Sequence, residues 1–127
     1  GIDDPSFQED YLFGDAASVT SSALSELQNE SDGYTVLLAH RPELFETYVD
    51  AGVNLVFSGH AHGGQFRLPF IGGLVAPNQG FFPKYDAGLF SEGSTTMIVS
   101  RGVGNSIIPI RFNNRPEIVV AELKPVT

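Results

Sequence analysis

The order of hydrophobic and polar positions near the start of the chain predicts a helix. Over residues 16–28 the apolar positions recur at helical spacing, and serines and threonines fill the opposite face; the apolar positions are Ala16, Val19, Ala23 and Leu27. Asp15 stands just before them, where a side chain that accepts backbone hydrogen bonds is favoured. We therefore predict a surface helix over 16–28, ended by the polar stretch 29–33 with its closing glycine.

The next pattern predicts strand, helix and strand. Residues 34–40 (YTVLLAH) and 53–60 (VNLVFSGH) are short apolar runs rich in strand formers. Between them, 41–52 has Pro42 in its first turn, ends at Gly52 and groups four large apolar side chains on one face: Leu44, Phe45, Tyr48 and Val49. A crossover of about a dozen residues suits a parallel pair. Continuous apolar strands of this kind are expected to be buried on both faces.

The rest of the chain predicts antiparallel pieces. Alternating Phe66, Leu68 and Phe70 before the turn-forming pair Gly72 and Gly73 indicate a hairpin arm. We interpret 75–93 as a loop, and predict a strand at 95–100 and two closing strands at 106–112 and 116–123, with a turn at Asn113 and Asn114. The prediction is one α/β domain over 1–127, with a parallel βαβ unit and additional antiparallel strands and hairpins.

Three aromatic residues of the predicted loop have two interpretations. Phe81, Phe82 and Tyr85 either cover the edge of the core or line a pocket for an apolar leaving group. We favour the core.

Composition and charge limit the class of partner. The chain has 127 residues, of which 42% are hydrophobic and 17% charged, so it is long enough to bury a core. Seven basic and fifteen acidic residues give a net charge of −8, which repels nucleic acid and anionic membrane surfaces. No nucleic-acid partner is expected, and a small anionic substrate needs a local reversal of sign, such as a bound divalent cation.

The sequence lacks cysteine, and it lacks the pattern of a membrane helix or a signal peptide. With no cysteine, disulfides, thiolate nucleophiles and cysteine-ligated zinc are excluded. No apolar run approaches the roughly 20 residues of a membrane helix, and the first ten residues lack the pattern of a signal peptide. We expect this stretch to be soluble, and the compartment is left open.

All three histidines, His40, His60 and His62, fall at the carboxyl ends of the two predicted parallel strands. Ligands bind at this end of open α/β sheets, and neighbouring strands are about 4.8 Å apart, so imidazoles there can converge on one or two ions. His60 and His62 are two positions apart, so an extended backbone would place them on the same face. A single such histidine is more often structural, whereas three together favour a metal site. Three neutral imidazoles do not offset two divalent charges, so carboxylates must come from elsewhere.

These residues resemble a known family. AHRPE at 39–43 followed by GHAHGGQ at 59–65 resembles the calcineurin-like metallophosphoesterases, most closely the bacterial branch whose members often follow an amino-terminal membrane anchor. SRGVG at 100–104 and IRFNNRPEIVVAEL at 110–123 are similar to the closing strands of that branch. The resemblance implies the carboxyl-terminal half of a metallophosphoesterase α/β sandwich.

The resemblance also implies a dimetal phosphohydrolase of phosphomonoesters or phosphodiesters. His40 and His60 would bind one ion and His62 the other, the ions being Mn, Fe or Zn, with a shared aspartate between them and a hydroxide for in-line attack on phosphorus. The family's D-x-H and G-N-H motifs do not occur in this sequence. Its third early motif, Gly-Asp, is matched only by residues 14–15, and Asp15 is predicted as a helix cap. The bridging aspartate and the general-acid histidine are therefore expected in a missing segment. For the chain alone we expect weak or partial metal occupancy and little activity.

Several other residues have both a functional and a structural interpretation. Arg41, Arg67 and Arg101 either contact a substrate phosphate or form surface ion pairs. The amides of Gly63 and Gly64 would face an anion in the same site. We name Gly63, Gly64 and Arg101 as the substrate-binding candidates.

Carboxylates of the chain itself are weaker candidates for the missing ligands. Asp3 and Asp4 would lie near the cleft, although a cap or turn beside Pro5 explains them better. Asp86 and Glu43 carry less weight, since Glu43 lies in a first helical turn, where a carboxylate is favoured electrostatically.

An alternative function needs no catalysis. The chain would bind metal weakly, or pair with a partner, either its missing amino-terminal half or a second copy, through a bare sheet edge. Sequence alone does not determine the substrate or the native metal, and the membrane anchoring of the parent protein is only implied by the resemblance.

Overall fold

The computed structural model describes residues 1–7, 15–29, 33–105 and 109–125. It contains helices α1 (Ala16–Gln28) and α2 (Phe45–Asp50), with short 3-10 turns at Pro5–Phe7, Pro42–Leu44 and His62–Gly64. The strands are β1 (Val36–Leu38), β2 (Leu55–Ser58), β3 (Arg67–Leu68), β4 (Gly72–Gly73), β5 (Val75–Ala76), β6 (Gly80–Phe81), β7 (Gly88–Glu92) and β8 (Thr95–Val99). No helix in these ranges combines the length and apolar character that membrane crossing requires.

The main sheet has four strands in the order β1-β2-β8-β7. β1 runs parallel to β2 with Leu37 opposite Val56, and β2 runs parallel to β8. A 3-10 turn and α2 connect β1 to β2. The predicted α/β class and the parallel βαβ unit are confirmed, and the small antiparallel pairs β3-β4 and β5-β6 lie outside the main sheet.

Helix α1 has the predicted bounds and cap, but a different buried face. The Asp15 carboxylate accepts a hydrogen bond from the Ser18 amide at 2.8 Å. Leu24 is 2% exposed and Leu27 is 47% exposed, so the predicted inward position of Leu27 is wrong. The buried side chains of the helix are Val19, Thr20 and Leu24. Burying Leu24 removes more apolar area from water than burying the small Ala23, which explains the rotation of the helix.

Strand β2 is buried, whereas β1 is covered on one face only. Leu37 is 3% exposed, but Val36 and Leu38 on its other face are 40% and 59% exposed. The prediction of burial on both faces is therefore wrong for β1. This strand lies at the edge of the sheet, where the Ile2 amide donates to the Leu38 carbonyl at 3.1 Å, and the side chains of its outer face are largely exposed.

Two predictions in the second half of the chain are wrong. The predicted loop 75–93 contains β5, β6 and β7, and β7 pairs antiparallel with β8. Its glycine and aromatic content hid a strand that depends on its partner rather than on its own propensity. Conversely, 116–123 is not a strand among the described residues, and Phe112 forms only an isolated bridge with Phe66. Residues 106–108 lie outside the described ranges. In this segment the Glu117 amide donates to the Gly102 carbonyl at 3.0 Å, but one such bond does not make a strand ladder.

The core lies between the sheet and the helices, and it includes one of the three aromatic residues of the predicted loop. Tyr85 is 5% exposed and packs edge-on against Phe45 and Phe90, with ring centroids 5.5 and 5.0 Å away. The core interpretation is confirmed for Tyr85. It is wrong for Phe81 and Phe82, which are 81% and 66% exposed at the small β5-β6 pair outside the main sheet.

Tyr48 connects this core to the loop that follows β1. Its side chain is buried, and its hydroxyl donates to the Arg41 carbonyl at 2.7 Å. We expect Tyr48→Phe to lower the free energy of unfolding by about 1 kcal/mol, the net contribution of one such bond. Urea denaturation followed by circular dichroism measures this change. Tyr34→Phe, at a residue that is 66% exposed, is the control and should have no effect. Equal stability of Tyr48→Phe and the wild type would contradict the prediction.

Candidate metal centre

The parallel pairing of β1 and β2 brings His40 and His60 together. The hydrogen-bond ladder extends past β1 through Ala39, whose amide donates to the Phe57 carbonyl at 3.1 Å. The Ser58 hydroxyl, at the end of β2, donates to the His40 carbonyl at 3.1 Å. The two imidazole rings lie with centroids 4.2 Å apart and planes tilted by 52°. Their approach was predicted from the position of both residues at the carboxyl ends of adjacent strands.

His62 reaches the same region by a route that the sequence pattern did not predict. His60 and His62 have φ angles of 58° and 47°, so the backbone is left-handed at both and not extended. The argument that places the two side chains on one face of an extended strand is therefore wrong. A tight turn replaces the strand here, since β2 ends at Ser58 and the 3-10 turn His62–Gly64 follows.

The electrostatic environment keeps two of these imidazoles neutral. Burial, reinforced by the nearby His40 and Arg41, lowers the pKa of His60 to about 4, although Asp4 opposes the shift. Burial, together with Arg111 and His40, also lowers the pKa of His62 below its usual value. Both rings are therefore unprotonated at neutral pH, which is the form that ligates metals.

The donor chemistry fits a first-row divalent ion, while the number of ligands is incomplete. The Asn78 side-chain amide lies 3.0 Å from Nε2 of His60. An amide nitrogen only donates, so this contact needs an unprotonated Nε2. Imidazole nitrogen suits Zn, Fe and similar ions. Within the four described ranges, however, no cluster of three or more His, Cys, Asp or Glu side chains is arranged to hold a metal ion.

Two aspartates considered as replacement ligands are occupied by other partners. Asp4 accepts two hydrogen bonds from the Arg41 side chain, at 2.8 and 2.9 Å. It accepts a third from the Ser6 amide at 2.9 Å. The Arg41 guanidinium holds the pKa of Asp4 well below its usual range. The cap or turn interpretation is confirmed for Asp4. Asp86 likewise accepts hydrogen bonds from Arg67 at 2.7 Å and from the Gly73 amide at 2.8 Å.

Glu43 differs from these aspartates. Both of its carboxylate oxygens are buried without a hydrogen-bond partner. Burial raises the pKa of Glu43, and the nearby Asn78 amide opposes that rise. Asn78 therefore lies beside the His60 ring, and Glu43 lies near Asn78. Sequence reasoning gave Glu43 little weight and missed Asn78. The available signal for Asn78 was its place in a Pro-Asn-Gln-Gly turn, where asparagine tolerates the left-handed φ of 59° that it adopts.

All three arginine candidates form ion pairs. Arg41 pairs with Asp4, Arg67 with Asp86 and Arg101 with Glu117, at 2.8, 2.7 and 2.9 Å. The ion-pair interpretation is thus confirmed for each of them.

The backbone amide of Gly64 is also occupied, since it donates to the Ala61 carbonyl at 2.7 Å. Gly63 and Gly64 are both buried. Contact of Arg101, Gly63 or Gly64 with a substrate phosphate stays a prediction.

Comparison with known proteins identifies relatives of the chain. It is 43% identical over 91 residues to the uncharacterized metallophosphoesterase YkuE of Bacillus subtilis, covering 72% of this chain and 31% of YkuE. It is 40% identical over 88 residues to the phosphodiesterase YaeI of Escherichia coli, covering 69% of this chain and 32% of YaeI. The chain belongs to the metallophosphoesterase family.

Other comparisons set the limits of that assignment. A transmembrane protein with a metallophosphoesterase domain from Danio rerio is 36% identical over 98 residues, covering 74% of this chain and 21% of that protein. No family model and no solved structure matches the chain. The chain spans about a third of the length of YkuE and YaeI, 31% and 32%. The resemblance read from the histidine motifs is confirmed at the level of the family.

The ion pair of Arg101 with Glu117 makes stability depend on pH. Hydrogen bonds from Arg101 lower the pKa of Glu117 below its usual 4.5, so the stabilisation is complete above that value and is lost as pH falls through the lower folded-state pKa. We expect Glu117→Gln to lower the free energy of unfolding at pH 7 by on the order of 1 kcal/mol, with the difference vanishing in acid.

Urea denaturation at a series of pH values from 7 down to 3 measures this difference. Glu122→Gln is the control, because Glu122 pairs with Lys124 in a solvent-exposed position, with 75% of its side chain accessible. A pH-independent loss in Glu117→Gln would show that the charge of Glu117 is not involved.

Proposed function

We propose that this chain is the carboxyl-terminal part of a dimetal phosphohydrolase, with His40, His60 and His62 as metal ligands. One observation carries the proposal: the rings of His40 and His60 are in contact at the carboxyl ends of adjacent parallel strands. The lowered pKa of His60 and of His62 supports it. Membership of the metallophosphoesterase family supports the reaction class, hydrolysis of phosphomonoesters or phosphodiesters.

The residues of the chain have distinct parts in this proposal. The chemistry supplied by two bound divalent ions (Mn, Fe or Zn) would be polarisation of the phosphoryl oxygens and activation of water. His40, His60 and His62 would hold the ions, and the Ser58 hydroxyl fixes the backbone of His40. An added Cβ on Gly63 would come within 2.6 Å of Cγ of Arg101, so this arginine lies against the turn that carries His62. Arg101, Gly63 and Gly64 are the proposed contacts for the substrate phosphate.

We propose that the chain alone has little activity and weak or partial metal occupancy. Asp4 and Asp86 are held by arginines, so neither is available to bridge two cations without losing an ion pair. The bridging carboxylate and the general acid are assigned to the part of the relatives' length that this chain does not span.

The partners follow from charge and relatives. The substrate is a phosphate ester, and nucleic acid is not a partner of a chain with a net charge of −8. We propose that the parent protein is membrane-associated, for which the Danio rerio transmembrane relative is the support.

Phosphatase assays with an aryl phosphate and Mn²⁺ test this function. We expect no measurable hydrolysis by the 127-residue chain, and hydrolysis when the upstream two thirds of a close homologue are fused to it. His62→Ala in the fusion should reduce kcat/KM by at least about a hundredfold, because a ligand is lost. Ser91→Ala, at an exposed position in β7, is the control. Activity of the short chain that His62→Ala abolishes would refute the proposed incompleteness, and an inactive fusion would count against the phosphohydrolase assignment.

A second candidate function is a non-catalytic module that pairs through its sheet edge. Exposed apolar residues on two adjacent parts of the chain favour it. Tyr34, just before edge strand β1, is 66% exposed, and Leu38 in that strand is 59% exposed. Ile118 and Val120 in the closing segment are 81% and 89% exposed. Such an edge is a template for pairing.

Light scattering tests this pairing. We expect the chain to associate as its concentration rises, because an unpaired apolar edge gains hydrogen bonds and buried area on self-association. Val36→Lys in β1 should shift the chain toward monomer. Ile71→Lys, at an exposed residue of the turn between β3 and β4, is the matched control and should not. A strict monomer at high concentration would contradict the pairing function.

A further inference from the structure

The turn that carries His62 has an unusual backbone. His62 and Gln65 both have a φ of 47°, in the left-handed region that residues with a side chain seldom occupy. Such a conformation persists only where the surrounding structure holds it. The turn therefore needs contacts from outside itself.

Asn114 supplies those contacts from 52 positions along the chain. Its side-chain amide donates to the His62 carbonyl at 2.5 Å and to the Gln65 carbonyl at 3.2 Å. These are the first and last residues of the turn, so one side chain joins its two ends. Asn114 is only 3% exposed, and water does not compete for these bonds.

The backbone around Asn114 is anchored to the same turn. The Phe112 amide donates to the Gln65 carbonyl at 3.2 Å, and the Arg67 amide donates to the Phe112 carbonyl at 2.9 Å. These two bonds fix the segment at 112–114 beside the turn independently of the Asn114 side chain. Substitution of Asn114 is therefore expected to release the turn while the segment stays docked.

Gly63 shows how closely the Asn114 side chain fits. A Cβ added at Gly63 would collide with Oδ1 of Asn114 and with the Arg101 side chain. That Oδ1 has no hydrogen-bond partner of its own. A buried unpaired oxygen costs free energy. The two hydrogen bonds that the Asn114 amide nitrogen donates offset this cost.

We infer that Asn114 is a positioning residue, which holds the left-handed turn and thereby fixes the backbone that carries the His62 imidazole, a proposed metal ligand. The inference about metal rests on the proposed function, whereas the inference about the turn does not. Outer-shell partners of metal ligands typically change metal affinity by 10- to 100-fold when they are removed. A similar change is expected here for the ion that His62 contacts.

Nuclear magnetic resonance without metal tests the first half of the inference. We expect Asn114→Ala and the isosteric Asn114→Asp to shift the ¹³Cα and ¹³Cβ resonances of His62 away from left-handed values and to speed amide exchange at Gln65. Asn113→Gly is the matched control, since Asn113 is exposed and glycine tolerates its φ of 50°. Unchanged His62 resonances in both Asn114 variants would overturn the inference.

A Mn²⁺ titration followed by line broadening of the ¹⁵N-labelled chain tests the second half. In the wild type we expect resonances near His40, His60 and His62 to broaden. In both Asn114 variants the part of the titration that His62→Ala removes should require at least about tenfold more Mn²⁺ than in the wild type, while the remaining broadening is unchanged. His62→Ala provides the reference for complete loss.

The outcomes separate the two claims. No broadening near any histidine in the wild type would refute the proposed metal ligands, and the metal-free experiment would still decide the role of Asn114 in the turn. Equal Mn²⁺ dependence in wild type and Asn114 variants would overturn the positioning role. Loss of spectral dispersion throughout the chain in both variants would also overturn it, because Asn114 would then support the whole fold rather than this turn.

Discussion

The parallel pairing of β1 with β2 is the interaction on which the rest of this site depends. It places the ends of two strands side by side, and the ladder continues one step further through the Ala39 amide and the Phe57 carbonyl. Without this pairing, residues 40 and 60 would be separated by the crossover through α2. With it, their rings lie 4.2 Å apart. Partial burial at this end of the sheet also lowers the pKa of His60, so the same packing affects both the geometry and the protonation state.

Charge is organised differently near the site than over the chain as a whole. The net charge is −8, yet the arginines at positions 41, 67 and 101 cluster near the histidines and the turn that follows them. Each is paired with a carboxylate, and two of these carboxylates, Asp4 and Asp86, are the aspartates considered above as replacement ligands. Arg111 adds positive charge near His62, where it helps to lower the pKa of that ring. The proposed cations would add to this local positive charge.

The uncovered apolar surface and the incomplete ligand set have a common interpretation. Strand β1 is exposed on one face and is paired at its outer edge only through the bond from the Ile2 amide to the Leu38 carbonyl. The segment at 116–123 belongs to no strand among the described residues. The chain spans about a third of the length of the relatives to which it is most similar among those described above, 31% of YkuE and 32% of YaeI. Backbone pairing and metal ligation are both long-range interactions, and the described residues leave both incomplete.

The sequence by itself determined the elements with local signals and the two histidines that parallel strands bring together. Helix α1 has the predicted bounds because Asp15 caps it and an apolar face follows. The βαβ unit was predicted from two apolar runs and from Pro42 at the start of the helical segment between them. Tertiary structure decided the rest. Three features depend on which neighbours are present in the fold, and hydrophobic periodicity does not predict them. They are the burial of Leu24, the strand at 88–92 and the exposure of Phe81 and Phe82. The backbone at His62 is left-handed, and Asn114 donates a hydrogen bond to it from 52 positions along the chain. Only the folded chain brings these two groups within hydrogen-bonding distance.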